Sequence, residues 1–133
     1  MTTIVELESI YKGYKYKIVF NLIYGYRCGY VQIPEEHPYY QKDYREFSDI
    51  CRYGGLTYSG FLDDNENFYV GFDCAYACFG FDSDALKKYL PLDNALQQIE
   101  YIKQFKDENL YTPSLEECEE ECKNIINKLI KEN

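Results

Sequence analysis

Tyr14-Lys15-Tyr16-Lys17-Ile18-Val19-Phe20-Asn21-Leu22-Ile23-Tyr24 is the stretch that decides the fold. Tyr14, Tyr16, Ile18, Phe20, Leu22 and Tyr24 alternate with Lys15, Lys17, Val19, Asn21 and Ile23. A period of two in aromatic and β-branched residues reads as a strand with one buried face. Gly25 then supplies a turn, and Tyr26 to Ile33 reads as the hairpin partner. Pro34 closes it, having no amide hydrogen to continue a ladder. Further on, Ile50 to Tyr58 with its Gly54-Gly55 pair, a turn at Asp63, Asp64 and Asn65, and the alternating run Phe68 to Cys74 predict another hairpin. The first eighty or so residues are therefore expected to form an antiparallel sheet of four or five strands.

The hydrophobic period changes once, at about Ser83. Ser83 is placed to cap a short helix running to about Leu90, which Pro91 ends. Asp93 is read as the cap of a helix through about Lys106, with Leu96, Ile99, Ile102 and Phe105 along one face. Thr112 and Pro113 read as the cap and first position of the last helix. In that helix Leu115, Cys118, Cys122, Ile125 and Leu129 form a stripe expected to be buried, leaving Glu117, Glu120 and Glu121 exposed. One period switch predicts an α+β fold, a single domain over residues 1–133, mainly β over 1–80 and helical over 81–133, with two or three C-terminal helices on one sheet face.

At 133 residues the chain is the size of one ordinary domain, and 46% hydrophobic with 28% charged residues is the balance of a chain that folds. A net charge of −9 repels phosphate backbones and argues against direct binding to DNA or RNA. No apolar run approaches the roughly 20 residues that span a bilayer, and Glu6 and Glu8 stand where a secretory leader would be basic and then apolar. The expectation is a cytoplasmic protein with no membrane partner, and a homodimer is left open.

Of the six cysteines, Cys74 with Cys78 and Cys118 with Cys122 are each four apart, a spacing that could bring four thiolates to a zinc ion. The turn-forming two-residue gap is missing, so buried free thiols are expected, with no metal or other cofactor. His37, the one histidine, lies in Pro34-Glu35-Glu36-His37-Pro38 and reads as a loop residue or as a general base. It could be written with Cys28 or Cys74 and Asp73 as a nucleophilic constellation, the basis of a cysteine-dependent enzyme reading, but no catalytic residue is assigned. Gly54-Gly55-Leu56-Thr57 lacks the spacing and lysine of a phosphate loop.

Sixteen tyrosines offer flat apolar faces with polar tips, suited to interfaces and pockets as well as to strands. A local basic pocket around Arg27, Arg45 or Arg52 would be needed to hold a nucleotide against them. The most polarised feature is Glu116, Glu117, Glu119, Glu120 and Glu121, within a C-terminal segment, residues 91–133, that carries five basic and ten acidic side chains. A solvated helix start explains such a run; a docking face for a basic partner is the sharper reading.

Arg27-Cys28-Gly29-Tyr30-Val31, His37-Pro38, Gly54-Gly55-Leu56-Thr57-Tyr58 and Gly71-Phe72-Asp73-Cys74-Ala75, in that order, resemble the motifs of a family of small phage and prophage proteins. The resemblance covers roughly residues 26–76. Where such proteins carry histidines before Gly-Gly-x-Thr-Tyr and after Asp-Cys-Ala, this chain has Tyr53 and Tyr76. The resemblance implies a phage-borne setting in the host cytoplasm. It suggests a stoichiometric anti-defence inhibitor, such as an anti-CRISPR, whose Glu116 to Glu121 face occupies a basic nucleic-acid-binding surface of a host defence protein. The alternative is a protein that sequesters a nucleotide signal in a tyrosine-lined pocket around Tyr53, Tyr58, Asp73, Tyr76 and His37.

Overall fold

The computed structural model describes residues 2–62, 66–76 and 78–133, so the turn read at Asp63, Asp64 and Asn65 lies outside the described residues. The alternating stretch forms strand β2 (Tyr14–Asn21), with Tyr14, Tyr16, Ile18 and Phe20 buried. It is flanked by β1 (Thr3–Tyr11) and β3 (Arg27–Gln32). With β4 (Tyr58–Leu62) and β5 (Asn67–Asp73) the sheet has five strands in the order β1-β2-β3-β5-β4, every neighbour antiparallel.

Two strands depart from the sequence reading. β1 was not legible by alternation because Glu6 is an extra residue: Val5 pairs with Val19 but Leu7 pairs with Ile18, a bulge that shifts the period. The bulged Glu6 binds Arg27 in two places, Nε to Oε1 at 2.7 Å and Nη2 to Oε2 at 3.2 Å. Arg27 also reaches Asp82 at 2.8 Å and packs over the ring of Phe20, and the Tyr89 hydroxyl donates to Glu6. A buried cation is thereby matched by two carboxylates, which holds the first strand to the first helix. The second departure is Ile50 to Tyr58, which is not a strand. Short 3-10 turns at Tyr44–Glu46 and Ser48–Ile50 lead into Gly54 and Gly55, at φ 83° and 91°, so β4 begins only at Tyr58.

Three helices follow: α1 (Ser83–Tyr89), α2 (Leu92–Ile102) and α3 (Leu115–Lys131). Their caps differ from those expected. Asp82 rather than Ser83 caps α1, accepting from the Ala85 amide, and α2 starts after Pro91 with Asp93 already in its first turn. α3 starts two residues later than Thr112-Pro113 suggests. Ser114 forms a capping box with Glu117, satisfying two backbone N–H groups at once. α2 ends at Ile102 rather than about Lys106; its inward positions are Ala95, Ile99 and Ile102, whereas Leu96 and, beyond its end, Phe105 are exposed.

α3 lies across β1, β2 and β3. Its stripe packs as expected for Cys118, Cys122, Ile125 and Leu129, joined by Ile126, with Leu115 half-buried at the edge. Gly29 makes this approach possible, since a Cβ there would meet Phe72 at 2.4 Å and Cys122 Sγ at 3.0 Å. A second cluster of Phe20, Leu22, Phe81, Ala85, Leu86, Ile99 and Ile102 seats α1 and α2 at the end of the sheet. The result is an α+β fold, mainly β before and helical after about residue 80. Among the described residues no helix is long and apolar enough to cross a membrane.

Candidate interaction surface on the open sheet face

Strand pairing sorts the side chains by face. Ile18, Gly29 and Phe72 lie abreast on the helix side, as do Tyr16, Val31 and Val70. The connection from residue 34 to 57 packs on that side too, through Phe47, Cys51 and Leu56 in the core of α3. On the opposite face, among the described residues, no helix is seated. An antiparallel sheet with a free face ordinarily turns polar residues outward. Here β3 turns out Cys28 and Tyr30, β5 turns out Tyr69, Gly71 and Asp73, and β4 turns out Tyr58.

These residues form one continuous group. Cys28 is paired across the ladder with Asp73, and Tyr30 and Tyr58 are both paired with Gly71, one from either side. The Tyr30 and Tyr58 rings meet edge to face, 5.8 Å between centroids at 88°. A Cβ on Gly71 would stand 2.6 Å from Tyr30 Cδ1, so glycine is what lets the ring settle against the sheet. Burial, and then the neighbouring Cys28 thiol, push the Tyr30 phenol well above its ordinary range. Tyr26, just before β3, is half-buried and packs against the core beneath α3 rather than joining this group. Tyr24 packs on Phe105, and Phe105 on Tyr101, all three exposed. Lys17, paired with Tyr30 across the β2–β3 ladder, lies over the Tyr69 ring on the same face. The three strand-forming motif stretches, around Cys28-Gly29-Tyr30, Thr57-Tyr58 and Gly71-Phe72-Asp73, thus meet on one uncovered surface.

The glutamates of α3 are largely committed elsewhere. Glu121, expected to be exposed, is 1% exposed. It accepts from the Arg52 backbone N–H at 3.0 Å and pairs with Arg52 Nε at 3.1 Å, fastening the loop before Gly54 to the helix. Sequence alone placed it outside because five acids within six positions hide the one that faces a guanidinium. Glu119 accepts from the Tyr16 hydroxyl at 2.5 Å. Glu117 closes the capping box and accepts from the Tyr111 hydroxyl, and these bonds hold its carboxyl below the ordinary range. Glu116 and Glu120 are the two that stand exposed.

The tyrosine-lined pocket is not assembled. Tyr53 packs against Phe72 and Phe79 on the helix side, with Tyr76 on the far side of Phe79, whereas Tyr58 and Asp73 belong to the open face. His37 is buried under the end of α3, its Nδ1 accepting from the Tyr39 amide and its Nε2 donating to the Leu129 carbonyl at 2.8 Å. Both ring nitrogens are engaged, which leaves none to act as a base toward Cys28 or Cys74. Nor are the thiols activated: burial pushes Cys28 up to about 12, and hydrogen bonding to Cys118 together with burial raises Cys74 still further. Cys74 and Cys118 are in contact at 3.7 Å while Cys78 is exposed, and among the described residues no group of histidine, cysteine and carboxylate side chains is placed to hold a metal.

Cys28, Tyr30 and Gly71 were not singled out as a site by sequence. The signal was present, Cys28 and Tyr30 being two apart on one strand and so on one face. Which face carries the helices becomes decidable only from strand order.

Comparison of the chain with protein-family models, with curated proteins and with solved structures finds no match. The functional reading therefore rests on this chain's own residues and their placement.

Proposed function

We propose that the protein is a stoichiometric binding inhibitor of another protein, in the phage-borne anti-defence setting that the motif resemblance implies. The observation that supports this reading is the convergence of Cys28, Tyr30, Tyr58, Gly71 and Asp73, drawn from separate stretches, on one uncovered face. Around Tyr30 and Tyr58 that face is rings lying on a sheet rather than a cleft, and a small ligand is ordinarily held in a concavity that buries most of its surface. Rows of tyrosine suit a macromolecular interface, where aromatic anchors carry much of the binding energy. A net charge of −9 favours a basic partner and disfavours a phosphodiester. A host defence protein with a basic nucleic-acid-binding surface fits this description, and an anti-CRISPR is one form of it. The open sheet face replaces the acidic start of α3 as the docking surface, because three of its five glutamates are tied to the fold.

Affinity capture from host lysate tests this, comparing the wild type with a Tyr30→Ala, Tyr58→Ala variant and a Glu116→Lys, Glu120→Lys variant. The expected result is one protein captured at a fixed ratio by the wild type and the glutamate variant and lost with the tyrosine variant. Capture lost with the glutamate variant alone would return the interface to α3. No protein captured at a fixed ratio by any of the three would overturn the inhibitor reading.

A further inference from the structure

We infer that the outer edge of β1, from Leu7 to Tyr11, pairs with the same edge of a second copy of this chain, antiparallel about a two-fold axis at Ser9. This goes beyond the proposed binding function and leaves the open face of each copy free.

β1 is one margin of the sheet and its longest strand, nine residues without proline or glycine. Among the described residues no strand is paired on its outer side. Such an edge is a template for another strand, and folds ordinarily shield it. The opposite margin is shielded. β4 has five residues, and the connection before it packs there, the Tyr44 amide donating to Ser59 Oγ and the Tyr40 ring meeting Phe61. In β1 the bulge at Glu6 interrupts only the first half. From Leu7 to Tyr11 the pairing with β2 is regular, and Glu8, Ser9 and Ile10 are exposed.

The turn decides which backbone groups point outward. Lys12 and Gly13, at φ 50° and 85°, join Tyr11 to Tyr14 as a two-residue hairpin loop with both centres left-handed, so Tyr11 and Tyr14 exchange both of their backbone hydrogen bonds. Hydrogen-bonded and non-hydrogen-bonded pairs alternate along an antiparallel ladder. Ser9 therefore bonds to Tyr16, whereas the N–H and C=O groups of Glu8 and Ile10 face away from β2. With the axis at Ser9, Glu8 of each copy meets Ile10 of the other, and all of these outward groups are paired. Leu7 and Tyr11, both half-buried on the helix side, meet across the same junction. On the open side Glu8 lies between Lys17 of its own copy and, beyond Ile10 of the other copy, that copy's Lys15. Moving the axis to Glu8 sets two carboxylates face to face, which is unfavourable. Moving it to Ile10 runs Glu8 against Lys12, which the turn holds out of extended geometry. The segment is thus complementary to itself in one register, as an isologous two-fold contact requires.

The test places a thiol on the axis of the full chain. Ser9→Cys, in a Cys78→Ser background that removes the exposed native thiol, is compared with Thr3→Cys and Ile10→Cys in the same background, all three positions being exposed on β1. Oxidised glutathione is the oxidant: one thiol from each copy joins in a disulfide, and the two protons and two electrons released turn it into two glutathione thiols. Facing residues of a non-hydrogen-bonded pair stand about 4.5 Å apart at Cα, within disulfide reach. The expected result is a covalent dimer at least about tenfold more abundant for Ser9→Cys than for Thr3→Cys, and more abundant than for Ile10→Cys. Light scattering of the wild type at about 0.1 mM should show a dimer. Ser9→Lys, which sets like charges on the axis, should convert it to monomer, and Tyr58→Ala should leave it intact. A wild type that is monomeric at that concentration, or a dimer lost with Tyr58→Ala and kept in Ser9→Lys, overturns the proposal. Equal crosslinking at all three positions, the mark of random collision, overturns it too, and crosslinking strongest at Ile10→Cys overturns the register. Lysate capture that depends on Tyr30 and Tyr58 in a monomeric chain would sink this inference and leave the inhibitor reading standing.

Discussion

The ring of Tyr30 rests against Gly71 so closely that a methyl group on Gly71 would lie 2.6 Å from Tyr30 Cδ1 and 2.9 Å from the Gly29 carbonyl oxygen. The first contact can be relieved by swinging the ring outward, the second only by parting β3 from β5. Gly71→Ala should therefore cost about 1–3 kcal/mol of stability, the range for overpacking a close contact. It should also part the Tyr30 ring from Tyr58. A urea midpoint and capture of the partner should both fall, whereas Gly13→Ala, with nothing within 4 Å of its Cβ, should leave capture unchanged.

The glutamates of α3 should separate into two kinds. Glu121→Lys puts a second cation into a buried site opposite Arg52 and strands the Arg52 amide. Its cost should lie at the upper end of the roughly 0.5–3 kcal/mol of single substitutions, since Glu121 is buried while Arg52 is largely exposed. Glu116→Lys and Glu120→Lys alter exposed positions and should each stay within about 0.5 kcal/mol. Thermal melts of the three single variants check this.

Thiol reactivity should be confined to one residue in the native protein. Cys78 is exposed, Cys51, Cys74, Cys118 and Cys122 are buried, and burial pushes Cys28 and Cys51 up to about 12, where little thiolate exists at pH 8. Alkylation at pH 8 should modify one thiol rapidly and the other five only after denaturant is added. Cys78→Ser should remove the fast phase.

Stability should decline at alkaline pH through two phenols. Burial first, and then hydrogen bonds to Glu119 and Glu6, raise Tyr16 and Tyr89 from the ordinary value near 10 up to about 12. The folded state holds these protons more tightly than the unfolded state. Their contribution is thus complete below pH 10 and lost as pH rises from 10 through 12. Urea midpoints measured from pH 8 to pH 11.5 should fall above pH 10, and less steeply in Tyr16→Phe.

Much of this architecture is readable from residue order. Tyr14 to Phe20 alternate because β2 has one buried face, and Cys118, Cys122, Ile125 and Leu129 recur at helical spacing because α3 has one. What escaped reading has local causes. Glu6 breaks the period of β1 by bulging toward Arg27, and Gly54-Gly55 closes a 3-10 loop rather than a hairpin. The site was harder to read than the fold because it depends on tertiary partners. Glu121 looks like its four acidic neighbours until Arg52 is placed beside it, and Tyr53 looks like Tyr58 until the sheet separates them. His37 looks like a loop base until Leu129 and Tyr39 take both its nitrogens.

The claim that the open sheet face is the docking surface is tested most directly by hydroxyl-radical footprinting of the protein alone and in its captured complex. Tyr30 and Tyr58 should lose reactivity in the complex while Tyr76 and Tyr111, exposed on the helix side, keep theirs. Protection of Tyr76 and Tyr111, with Tyr30 and Tyr58 as reactive as in the free protein, would contradict the claim.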